Sequence, residues 1–156
     1  MMNSPKEKKY RSKFLPLFLA IALCTGLLGL LLSMILTGFD IRAFQWKVVF
    51  AVIFLIAWSL TWTTIIVLYY TITISESGIK GYNFWGGYRF VEWGTTKECR
   101  TMNLLGLKYL RIFTLDNRLP LWVPMFLNHL QDFKRNIINL TDQGNCMRSY
   151  FEKERG

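Results

Sequence analysis

One histidine, three cysteines and ten carboxylates are the material from which any catalytic or metal-binding constellation in this chain must be assembled. His129 follows Phe126 by three residues and precedes Phe133 by four, at the edge of an apolar stripe with helical spacing. A histidine so placed reads as a packing or capping group rather than a base. Glu76, Glu92, Glu98, Asp116, Asp132 and Asp142 fall singly, on turns or solvated faces, so no carboxylate pair is set up for acid–base work. The chain has no G-x-S-x-G, no H-E-x-x-H and no P-loop. Cys24, Cys99 and Cys146 are odd in number, with no C-x-x-C spacing and no nearby histidine, which argues against a zinc site or a disulfide framework. In a reducing cytoplasm, Cys99 and Cys146 then read as small apolar residues. The expectation is a non-enzyme with no metal and no cofactor.

What the chain does carry is apolar length. Residues 14–37 and 48–70 contain no charged side chain. At about 1.5 Å per residue the first makes roughly 36 Å of helix, enough to cross a hydrocarbon core of about 30 Å. The first run exceeds the apolar core of a signal peptide and no A-x-A-like site follows it, so both are read as retained transmembrane helices. Lys6, Lys8, Lys9, Arg11 and Lys13 crowd the N-terminal tail, whereas the loop 38–47 has only Arg42 and Lys47. Positive side chains resist translocation. The tail 1–13 and the region from residue 71 onward are therefore expected in the cytoplasm, with the loop outside. Such a basic tail also attracts anionic lipid.

Within the first helix Ala22, Gly26, Gly29, Ser33 and Thr37 form a stripe of small residues suited to close helix approach. Leu55, Trp58 and Trp62 of the second helix are the bulky candidates to pack into it, with homodimerisation through the same stripe as the alternative. Neither span contains an ionisable residue of the kind that marks an ion or proton path, which disfavours a transporter. Trp46, Tyr69 and Tyr70 fit interfacial belts.

After the second helix the pattern changes to period two. Residues 71–74 read as a strand and SESG (75–78) as a turn; IKGYNFW (79–85) and YRFVEW (88–93) read as a hairpin around Gly86 and Gly87, with Trp85 paired to Tyr88. Its aromatics are expected chiefly to build a sheet core, leaving the tip, Phe84, Trp85, Tyr88 and Arg89, for membrane contact. Strands are also read at 97–103, 107–115 and 119–124. Pro124 then opens a helix striped with Phe126, Leu130, Phe133, Ile137 and Leu140, with Gly144 after its end. Residues 145–156 form a tail. The fold class is thus a two-helix transmembrane hairpin followed by an α+β domain (71–144), an antiparallel curved sheet capped by one C-terminal helix.

ISESGIKGYNFWGGYRFVEW and RLPLWVPMFLNHLQDF give this order a resemblance to the bacterial PH-like domains that follow paired transmembrane helices. That family places a G-I strand start, an aromatic V-x-W strand, a proline-bounded strand and a helix in turn. Gly78 with Ile79, Val91 with Trp93, and Pro120 with Pro124 fill those places over about residues 48–141. Gly94, Thr95 and Thr96 depart from the small-polar, acidic and aliphatic residues that often follow the tryptophan. The resemblance implies a PH-like fold in a bacterial cytoplasmic membrane. It does not imply an inositide pocket, since SESG is acidic and Lys80 and Arg89 stand apart.

Two functional classes follow. One is a membrane-anchored interaction module that presents a surface to a membrane or cytoplasmic protein or peptide at the cytoplasmic face. The other is a lipid-surface or envelope structural protein that touches anionic headgroups through its basic tail and aromatic hairpin tip. The C-terminal part shows no arginine stripe or stacked-aromatic signature, so nucleic acid is not expected as a partner.

Overall fold

A computed structural model describes residues 7–37, 45–116 and 119–154 of the chain. Lys6 lies outside them, as do the side chains of Ser33, Thr37 and Trp46. The chain divides into two compact units, Phe14–Tyr69, and Met1–Lys13 joined with Tyr70–Gly156.

The first unit is helical. α1 (Phe14–Thr37) and α2 (Gln45–Tyr69) are both long and apolar enough to cross a membrane. They pack where side chains are small: a Cβ on Gly26 would lie 3.7 Å from Leu55 Cδ1, and the Thr25 and Ser59 hydroxyls approach to 3.4 Å. Thr25 donates to the carbonyl of Ile21 at 2.8 Å and Thr63 to that of Ser59 at 2.7 Å, so these hydroxyls need no water. Ala22 is half-buried, while Gly29 meets nothing within 4 Å. Trp58 and Trp62, expected to fill the stripe, are instead 44% and 43% exposed and lie along α2, Trp58 stacked on Phe54 and edge-on to Trp62. The buried line runs through Ser59 and Thr63; each tryptophan precedes it by one residue, about 100° around the helix.

The second unit is an antiparallel sheet with two helices. Its strands are β1 (Lys8–Tyr10), β2 (Ile72–Ile74), β3 (Gly78–Asn83), β4 (Tyr88–Glu92), β5 (Thr96–Leu104), β6 (Leu107–Thr114) and β7 (Leu121–Pro124). β4 runs along one edge of β3, and the other edge is shared, β2 pairing at Ile79 and Lys80 and β7 at Tyr82 and Asn83. Gly81 sits at this split, where a Cβ would come 2.7 Å from Ile72 Cδ1 and 3.2 Å from Leu121 Cδ1. One arm continues to β1, the other through β6 to β5. The arms meet again where Ser12 bridges Leu127, the Lys13 amide donating to the Phe126 carbonyl at 2.7 Å and the Asn128 amide to that of Arg11 at 2.8 Å. This second pairing curls the sheet.

The residues expected as a free basic tail therefore include a strand. Lys8 and Lys9 stay exposed while Tyr10 enters the core against Phe133, ring centres 5.1 Å apart. The core is mostly aliphatic: Ile72, Ile74, Ile79, Val91, Leu110, Ile112, Leu121 and Val123 point to one face. α3 (Leu130–Leu140) covers it with Phe133 and Ile137, and α4 (Cys146–Lys153) with Met147 and Phe151.

Three expectations change here. The helix begins at Leu130 rather than Pro124, because the backbone of 126–128 is committed to residues 11–13 and His129 turns the chain at φ 57°. A second C-terminal helix replaces the tail, capped by the Asn145 side chain, which accepts from the Met147 amide at 2.9 Å. Finally, Cys99 of β5 and Cys146 of α4 form a disulfide with Cα atoms 5.5 Å apart.

Candidate functional site

Alternation along the strands leaves a second, outward face, and the chemistry gathers there. The expected hairpin register does not hold. Tyr82, not Trp85, sits opposite the start of β4, and the turn is a three-residue one, with the Gly86 amide donating to the Asn83 carbonyl at 3.1 Å and Gly86 at φ 79°. An offset of three is odd, and it reverses the face of one strand relative to the other. Ile79 and Val91 consequently share the core face, while Tyr82, Tyr88, Phe90 and Lys80 share the outer one.

Pairing across the sheet extends this face into a row, Tyr88 on β4, Tyr82 on β3, Trp122 on β7, Arg111 on β6 and Arg100 on β5. The rings touch in sequence. Tyr88 meets Tyr82 at 4.9 Å and Tyr82 meets Tyr70 at 4.5 Å. Trp122 is flanked by Phe84 at 5.1 Å and Tyr109 at 5.5 Å, and Tyr109 leans on Phe126 at 5.4 Å. Burial raises the Tyr82 and Tyr109 hydroxyls above the ordinary phenol value, Tyr82 further through Tyr88 and Tyr70, so both stay neutral.

Phe84, Trp85 and Tyr88 of the hairpin tip are exposed, Trp85 at 78%. The hairpin aromatics thus line a surface instead of the core; only Trp93 packs inward, its indole donating to the Ser75 carbonyl at 3.2 Å. Arg89, expected at the membrane, is a structural tether. Its side chain is 16% exposed, paired with Asp116 at 2.8 Å, and it donates to the Leu119 carbonyl and the Thr114 hydroxyl, each at 2.8 Å. These bonds tie β4 to the β6–β7 connection.

Among the N-terminal cations, Lys8 reaches Asn136 and Asp132 on α3. Lys9, Arg11 and Lys13 are exposed. Lys80 holds Glu7 at 2.8 Å and lies 5.9 Å from the Phe90 ring centre; the Lys80 hydrogen bond keeps the Glu7 carboxyl below its usual range. His129 is exposed before α3, and among the described residues no three His, Cys, Asp or Glu side chains gather as metal ligands.

An arginine-and-aromatic surface, absent from the linear reading, is therefore what the fold assembles. Its members are scattered from residue 70 to 126, and only strand pairing unites them. The signal that was available is the alternation in KYLRIF, which sets Tyr109, Arg111 and Phe113 on one side and Leu110 and Ile112 on the other. No known protein family, curated protein or solved structure matches the chain.

Proposed function

We propose that the protein is a non-catalytic, two-pass membrane protein whose PH-like sheet domain lies on the cytoplasmic surface of the bilayer, outer face towards the lipid. The observation that carries this reading is where the outer face ends. Tyr70, in ring contact with Tyr82, is the residue after α2, and Phe126, edge-on to Tyr109, accepts a backbone bond from Lys13, the residue before α1. Both points at which the chain leaves the domain for an apolar helix thus adjoin the aromatic row. Aromatic rings with basic neighbours suit the headgroup region, where an apolar body and a polar tip are both accommodated.

The pairing of β1 with β2 supports a hairpin topology, because residues 8–10 and 72–74 must fold in one compartment. The lysine and arginine distribution favours the cytoplasm as that compartment. The exposed apolar side chains covering most of α1 and α2 then face acyl chains.

The test is a nitroxide at Trp85→Cys in the full-length protein in liposomes, with Cys24→Ser and the disulfide intact. Collision with oxygen should exceed that of a label at Gln143→Cys, and collision with a water-soluble nickel complex should fall below it. Equal nickel accessibility at both positions rejects the lipid-facing orientation.

A protein partner is the second reading, favoured by the outer edge of β4, which pairs with no strand among the described residues. Strand addition there would bind an extended peptide.

A further inference from the structure

We infer that Arg111 binds the phosphate of an anionic phospholipid headgroup on the outer sheet face. The inference rests on the membrane-surface reading and adds a ligand to it. The Arg111 guanidinium carbon lies 5.4 Å from the Phe113 ring centre and 5.8 Å from that of Trp122. Its Nε is buried without a hydrogen-bond acceptor. The terminal nitrogens make no hydrogen bond among the described residues and are not buried.

Arg89 has Asp116, Arg100 has Glu98 and Arg148 has Glu152 as carboxylate partners. The half-buried Arg111, like the exposed Arg11 and Arg135, has none among the described residues. It stands, moreover, directly opposite Arg100 across the β5–β6 ladder. Like charges so paired destabilise a sheet. An anion on the exposed terminal nitrogens offsets this repulsion, and their planar fork, held against two rings, matches the bidentate geometry of a phosphate.

The anion is assigned to lipid because the same face carries the exposed Phe84, Trp85 and Tyr88 and continues to Tyr70 and Phe126, where the chain departs for its apolar helices. A soluble phosphate would leave those rings in water. A headgroup brings glycerol and acyl chain to cover them.

Spin-labelled phosphatidylglycerol and phosphatidylcholine, each added to full-length protein reconstituted in phosphatidylcholine bilayers, report the preference as a ratio of association constants. The wild type should prefer phosphatidylglycerol by roughly tenfold, and Arg111→Gln should reduce this to below about twofold. Met102→Glu keeps the arginine but sets a carboxylate on the neighbouring outer position of β5, and it should abolish the preference too. Arg135→Gln, the same charge loss on exposed α3, should not. Retention of the preference in Arg111→Gln or Met102→Glu, or equal loss in Arg135→Gln, overturns the inference. So does tight binding of an oligouridylate that Arg111→Gln removes, which would give the face to nucleic acid. Release of the wild type from vesicles by alkaline carbonate would defeat the membrane reading itself; retention without lipid preference defeats only the site.

Discussion

Tyr10 fastens the basic N-terminal segment to the domain. Its hydroxyl donates to Asp132 at 2.9 Å and accepts from the Asn136 amide, while its ring sits edge-on to Phe133. Burial, and then the Asp132 carboxylate, push this phenol up to about 12. An unfolded tyrosine ionises near 10, so between these values the unfolded chain has lost a proton that the folded one keeps. The stabilisation is therefore complete below about pH 10 and lost as pH rises towards 12, to the extent of about 2 kcal/mol. Urea titrations across that range should show a steeper loss in wild type than in Tyr10→Phe; parallel curves would refute the role given to the hydroxyl. Helical spacing marks Phe133 and Ile137 as core in the sequence itself. Tyr10 carries no such mark, since KKYRSK is too short and too charged to display a period.

Strand positions were legible from alternation: β5 and β6 were read within a residue or two of their observed ends, and so was β2, although its three residues are all buried. Register was not legible. Gly86 and Gly87 admit either a two- or a three-residue turn, and the Asn83 side chain, accepting from the Gly87 amide at 2.8 Å, favours the longer one. That single difference moved the aromatics from core to surface. α4 had a readable signal in Asn145 followed by Met147, Tyr150 and Phe151 at helical spacing. The disulfide had none, since partners 47 residues apart meet only through the fold. Closing a loop of that size stabilises by about 4 kcal/mol in the chain-entropy picture. Reductant should accordingly lower the urea midpoint of oxidised wild type and leave that of Cys99→Ser unchanged; an identical shift in both would show that the bond does not hold α4 to β5.

At the scale of the whole chain, apolar length was the plainest feature of the sequence, and α1 and α2 lie where it predicted. How the ends are joined was hidden, because β1 and β2 are separated by both helices. The basic residues before α1 favour the cytoplasm, whereas a lasting disulfide belongs to an oxidising compartment. The measurement that decides most directly is maleimide labelling of single cysteines at Glu7, Asp40 and Glu92 in intact cells, with the native cysteines replaced by serine. A two-crossing hairpin with a cytoplasmic domain predicts that an impermeant reagent labels position 40 at once, and 7 and 92 only after permeabilisation. Labelling of 7 and 92 from opposite sides, or of all three alike, contradicts the hairpin; immediate labelling of 7 and 92 with 40 protected contradicts the cytoplasmic placement.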